Sequence, residues 1–228
     1  QSIMSFRYKY PMRTYSHIKE KRMMTDWLLC DMSIPYNGKQ PAFQLPGVGE
    51  INGGPSGFLF NSGKNMGDKY FEKYFVIHFK GSLAATYVYM FNMQEDGAGF
   101  KTHNHEEFFR GSNVVDLEIG PDGKMYFSEY NEGGWLNQDV GSIYAFYYPN
   151  EIAKPEIKSI AKVLTSETGK YTDEELYQQL SIDDLRVRQR AQFELAKRGD
   201  KGLKVFMKAL KSEGHKYRRL HGVWGISQ

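Results

Sequence analysis

Apolar side chains in the first 150 residues come in short runs, and five of these read as strands. Tyr74–Lys80, Ala85–Phe91, Val114–Ile119, Lys124–Glu129 and Ser142–Tyr147 are rich in β-branched or aromatic residues and are bounded by Gly, Asn, Asp or Pro. Between the third and the fourth stands Gly120-Pro-Asp-Gly123. Proline presets φ at the second turn position, and Asp and Gly tolerate the tight reversal, so a hairpin is expected there. Short strands joined by such turns predict a meander sheet, as in a propeller blade or a sandwich.

Past Pro149 the period becomes helical. Thr172 and Glu175 stand three residues apart, as in a capping box. Asp184 precedes Leu185, Arg188, Ala191 and Leu195, whose spacing keeps small and apolar residues mainly on one face. Gly199 is placed to close that helix. Asp200 opens another through Leu203, Phe206, Met207 and Leu210; Ser212-Glu-Gly214 breaks it, and Tyr217 to Ile226 begins a further one. Paired short helices with this apolar pattern read as HEAT-type repeats. The expected organisation is therefore residues 1–150 as β structure and 151–228 as linker helices and first repeats. One pair and a half is fewer than a solenoid normally needs, so the sequence reads as a piece of a longer chain.

Composition narrows the function. The chain has 228 residues, of which 40% are hydrophobic, 15% aromatic and 25% charged, which excludes a disordered chain. No apolar run reaches the eighteen residues of a membrane-spanning helix. A single cysteine, Cys30, excludes a disulfide framework, a Cys-rich zinc site and a haem attachment motif. The opening QSIMSFRYKY has neither the charged nor the apolar region of a signal peptide. Phosphate-binding loops, the dinucleotide fingerprint, G-x-S-x-G and H-E-x-x-H are not found, which leaves nucleotide binding and hydrolysis without support. The net charge of +3 is uneven: residues 151–228 carry 16 Lys+Arg against 11 Asp+Glu, and from Arg186 onward the count is 12 to 3. Such a stretch either attracts an acidic partner or forms solvated helix faces. Without interleaved aromatic platforms it does not predict nucleic-acid binding.

Gln40-Pro-Ala42, Gly54-Pro-Ser-Gly57, Tyr74–Gly81 and Asp116–Gly123 occur in that order. Together they resemble the later blades of the glucose/sorbosone dehydrogenase-type (quinoprotein-like) β-propeller. More closely, they look like the bacterial "membrane-bound dehydrogenase" proteins, in which that propeller is followed by HEAT repeats. Asp184–Leu195 and Arg219–Ile226 fit the first repeats of that array. The resemblance implies a β-propeller portion of antiparallel four-stranded blades followed by the start of an all-α HEAT-type solenoid. It also implies an extracytoplasmic (periplasmic or envelope) protein that oxidises a sugar or other alcohol, passing hydride to bound pyrroloquinoline quinone beside Ca²⁺ and electrons to a c-type cytochrome domain or subunit. The other reading is a non-catalytic binding or scaffold subunit whose repeats meet protein partners.

The resemblance also places residues. Lys80 falls where the family's cofactor lysine ends a strand, and the bland alternative is a solvated strand-end lysine. The family's two arginines would fall near Asn113 and Val115, neither basic; Arg110 lies three residues off and needs a different loop path. Asp116, near an inner strand, is the metal candidate, since hard cations want carboxylate oxygens. Glu129, Tyr130 and Trp135 are ligand-loop candidates, Trp135 either stacking on a sugar ring or packing beneath the first helix. Four further expectations concern single positions. His103 and His105 would share a strand face and a metal, or lie in a polar loop. His78, inside an apolar run, reads as a hydrogen-bonded structural histidine. Arg188 is expected to serve neighbouring turns, and Trp224 to lie in the core.

Overall fold

A computed structural model describes residues 6–8, 48–51, 54–97, 99–130 and 141–228. Among the described residues nine strands come first: β1 (Phe6–Tyr8), β2 (Gly49–Ile51), β3 (Gly54–Asn61), β4 (Lys73–Phe79), β5 (Tyr87–Asp96), β6 (Gly99–Arg110), β7 (Val114–Ile119), β8 (Met125–Tyr130) and β9 (Gly141–Phe146). Six helices follow: α1 (Pro149–Ile152), α2 (Pro155–Thr165), α3 (Asp173–Gln179), α4 (Leu185–Lys197), α5 (Asp200–Leu210) and α6 (Lys216–Ile226). β1 and β2 form a short parallel pair, β3-β4-β5-β6 a four-stranded sheet and β7-β8-β9 a three-stranded one.

This architecture corrects the expected fold. Both larger sheets are antiparallel and open, six helices follow them, and among the described residues no propeller and no extended solenoid is evident. The misreading has a physical source. Short aromatic strands joined by Gly-Pro-Asp-Gly turns suit any antiparallel meander, and an Asp-capped helix with an apolar stripe suits any packed helix pair. The local elements themselves fall where the pattern puts them: the hairpin turn is closed by the Gly123 N–H donating to the Gly120 carbonyl at 3.0 Å.

The chain divides into two compact units. The β unit comprises 1–60, 73–118 and 127–144; the helical unit comprises 61–72, 119–126 and 145–228. In the β unit, β4 lies between β3 and β5, so Phe75, Val76, Ile77 and His78 are all buried. Phe75 meets Phe108 edge-on at 5.0 Å, and Phe109 lies 5.8 Å from Phe127 of the second sheet. Gly57 permits that approach: a Cβ there would stand 2.7 Å from Ile77 and 3.0 Å from the Asp116 backbone.

The helical unit is built on Leu176, Leu180, Ala191, Leu195, Phe206 and Ala209. Thr172 caps α3 with the expected reciprocal bonds to Glu175, and Asp184 caps α4 through the Arg186 N–H. Two earlier segments belong to this unit through polar contacts of long sequence separation. Asn65 Nδ2 donates to the Gly123 carbonyl at 2.8 Å, and the Leu185 N–H donates to Ser62 Oγ at 2.8 Å. Arg186 grips Asp184 with two nitrogens and aims the third at the Ile119 and Gly120 carbonyls. Among the described residues no helix is long and apolar enough to cross a membrane.

Candidate functional site

A row of buried polar side chains gathers at the end of β4. The strand stops after Phe79, Gly81 turns the chain with φ +74, and the Thr86 N–H closes the turn on the Ser82 carbonyl at 2.9 Å. Thr86 is fully buried and links three segments. Its hydroxyl accepts the Lys80 N–H at 3.1 Å and donates to Asn113 Oδ1 at 3.1 Å. The Asn113 carbonyl accepts the Tyr130 N–H at 2.9 Å, and the buried Ser112 hydroxyl donates to Glu129. One edge of the β unit thus collects Lys80, Glu129 and Tyr130 around a Thr–Asn–Ser frame. Lys80 is 49 residues before the neighbours Glu129 and Tyr130 in the sequence.

His78 lies behind this edge. It has no solvent exposure, and its ring stacks on Tyr87 with centroids 4.2 Å apart. Neither ring nitrogen has a hydrogen-bond partner among the described residues, which corrects the expectation of a hydrogen-bonded histidine. Burial, followed by the positive charges of Lys80 and Arg110, pushes its pKa down to about 4, so the ring is neutral at pH 7. Buried polar atoms are nearly always paired, and an orphan pair of nitrogens at a polar edge calls for an explanation.

The two cations beside His78 differ in commitment. Arg110 is engaged: Nε donates to Glu107 at 2.8 Å, Nη2 to the same carboxylate and Nη1 to the Ala84 carbonyl at 2.8 Å, while the guanidinium covers the Tyr87 ring at 4.5 Å. The pairing holds the Glu107 carboxyl below its ordinary range. Lys80 is exposed, and no carboxylate of the described residues pairs with its ammonium.

The other candidates scatter. Asp116 is exposed on β7 and accepts the Leu117 N–H at 2.9 Å; among the described residues no group of three or more His, Cys, Asp or Glu could hold a metal ion. Trp135 lies outside the described residues, as do Cys30 and Gln40-Pro-Ala42. His103 and His105 sit in β6, not in a loop, but Asn104 has φ +51 and two residues there oppose Phe91 alone. The bulge breaks the alternation that would set both imidazoles on one face. His105 instead contacts Thr102 at 2.9 Å and stacks on Phe91.

The helical unit has polar groups of another kind. Buried Arg188 donates to the Ile182 and Asp183 carbonyls at 2.5 Å each and to His221 Nε2 at 3.1 Å, serving neighbouring turns as its sequence position suggests. That bond leaves the proton on Nδ1, which donates to Gln192 Oε1 at 2.6 Å. A cleft of about 690 Å³ is floored by Ile157, Ile160 and Ile182. Its lysines have partners: Lys154 meets Glu151 at 2.6 Å, and Lys64 lies 3.5 Å from Asp183. Trp224 is 47% exposed, which corrects its expected place in the core.

Thr86, Ser112 and His78 are the site residues that sequence reasoning missed or misjudged. The available signal was a polar residue inside or beside an apolar run, as in Ile77-His78-Phe79 and Asn113-Val114. No family model, no curated protein and no solved structure matches the chain.

Proposed function

We propose that the chain is a binding module whose β unit takes a small carboxylate-bearing ligand at the Lys80 edge. The observation that carries this reading is that His78, a fully buried ring whose two nitrogens have no partner among the described residues, lies two residues before Lys80, whose ammonium no carboxylate of the described residues pairs. An ammonium supplies charge and up to three donors to a carboxylate, and the Thr86–Asn113 frame holds the backbone beneath it. The test is calorimetric titration of the purified chain with citrate and with pyrroloquinoline quinone. Lys80→Ala is expected to weaken binding at least tenfold and Lys80→Arg to retain part of it. Absence of binding by both probes, or binding that ignores Lys80→Ala, contradicts the reading.

A second reading is favoured by one specific point: Lys80 and Asn113, two positions the dehydrogenase resemblance marks for cofactor contact, meet through Thr86. In that reading the protein is an extracytoplasmic sugar or alcohol dehydrogenase-like protein with a quinone, Ca²⁺ and a cytochrome acceptor. The residues present fit one quinone carboxylate at Lys80. They do not supply the rest: the Arg110 fork is taken by Glu107, and among the described residues Asp116 has no companion carboxylates for calcium, which takes six to eight oxygens. Sugar-dependent bleaching of added quinone in the presence of Ca²⁺ would decide for catalysis.

A further inference from the structure

The outer surfaces of α5 and α6 combine exposed apolar side chains with cations that no carboxylate of the described residues pairs. On α5, Leu203, Met207 and Leu210 stand at i, i+4 and i+7, so they form one stripe; they are 45%, 43% and 38% exposed. On α6, Leu220, Val223 and Trp224 form another, 37%, 52% and 47% exposed. Single exposed hydrophobes are ordinary, but six on two adjoining helices are a feature of interaction surfaces.

These stripes are held on a rigid base. The inward faces meet at Phe206 and Ala209 of α5 and Gly222 and Gly225 of α6, where the backbones approach closely. A Cβ on Gly222 would lie 2.8 Å from the Leu210 nitrogen, and one on Gly225 2.3 Å from the Phe206 ring. The outer side chains therefore cannot turn inward without parting the two helices.

Charge selects the occupant. Lys201, Lys204, Lys211, Lys216 and Arg219 are exposed, and no carboxylate of the described residues pairs with them; Lys208, by contrast, meets Glu174 at 2.7 Å. Lys204 and Lys211, seven apart, run alongside the Leu203–Met207–Leu210 stripe. We infer that the outer face of α5 docks an acidic amphipathic helix of a partner protein, its apolar seam on the Leu203–Met207–Leu210 stripe and its Asp and Glu on the flanking Lys204 and Lys211. A second copy of the chain is disfavoured, because it would set one basic surface against another.

The probes are two 18-residue helical peptides with one leucine seam, flanked by Glu in one and by Lys in the other. Each is labelled and titrated with the full chain, read by fluorescence anisotropy. The Glu-flanked peptide should bind at least tenfold tighter, and the preference should reverse in Lys204→Glu/Lys211→Glu, whose fold is checked by circular dichroism. Met207→Asp should weaken both peptides. Equal binding of the two peptides, absence of binding or an unreversed preference overturns the inference. Self-association in sedimentation, or flotation with phosphatidylserine vesicles that the Glu-flanked peptide does not compete away, overturns it in favour of a second copy or a membrane.

Discussion

Each unit buries one histidine almost completely, and the two are kept neutral by the same means yet used differently. His221 in the helical unit is 1% exposed and has both nitrogens engaged, one by Arg188 and one by Gln192. His78 in the β unit is fully buried and has neither engaged among the described residues. Burial followed by nearby cationic charge pushes both down to about 4. Arg188 spends its donors on its own fold, as Arg110 does; Lys80 does not. A satisfied polar network fixes one packing arrangement. A ring without partners and an ammonium without a carboxylate among the described residues leave interactions for a ligand to complete, and this contrast is why the Lys80 edge, not the Arg188 network, is the candidate binding site.

The contrast can be broken most severely at Arg188. Arg188→Ala removes the donor to two buried carbonyls and to His221 Nε2, and also the cation over the Tyr217 ring at 4.1 Å. Leaving such groups unpaired is expected to cost about 3 kcal/mol, read from the midpoint of urea unfolding. A loss below about 1 kcal/mol would mean that the network is not holding the helices together.

The histidines themselves give the next effect. His221→Leu should cost about 1–3 kcal/mol, since it orphans Arg188 Nε and Gln192. His78→Leu breaks no hydrogen bond within the described residues and should change stability by less than about 1 kcal/mol at pH 7. Acid adds a signature. A folded pKa of about 4 against an unfolded value near 6.5 means the unfolded chain binds more protons between those limits. Protonation therefore favours unfolding, and stability falls as pH drops from about 6.5 to 4, by up to about 3 kcal/mol per histidine. Each leucine variant should remove its own share of that slope.

The local elements could be read because each carries a short-range signature. Thr172-Asp-Glu-Glu175, Asp184 and the Gly120–Gly123 turn specify their geometry within four residues, and all three form as expected. β6 was mostly missed because an edge strand facing solvent needs no apolar alternation; nearly all of Gly99–Arg110 is exposed or half-exposed. Segments 61–72 and 119–126 could not be assigned to the helical unit, since contacts such as Asn65 to Gly123 span 58 residues. The larger architecture was misread for the same reason, because turn and helix signals do not encode how many strands or helices assemble. At the site, Lys80 and the neighbours Glu129 and Tyr130 were legible only as separate candidates. Their meeting depends on Thr86, Ser112 and Asn113, whose side chains carry no pattern of their own.

The most direct test of the Lys80 edge is the pH titration of the His78 and His221 ring resonances by NMR, with and without saturating citrate. A carboxylate held at Lys80 offsets the lysine charge that helps keep His78 neutral, so the pKa of His78 should rise from about 4 on binding while that of His221 stays where it is. Lys80→Ala should abolish the response to citrate. An unchanged His78, or an equal shift at both histidines, would contradict the claim that the β unit binds a carboxylate there.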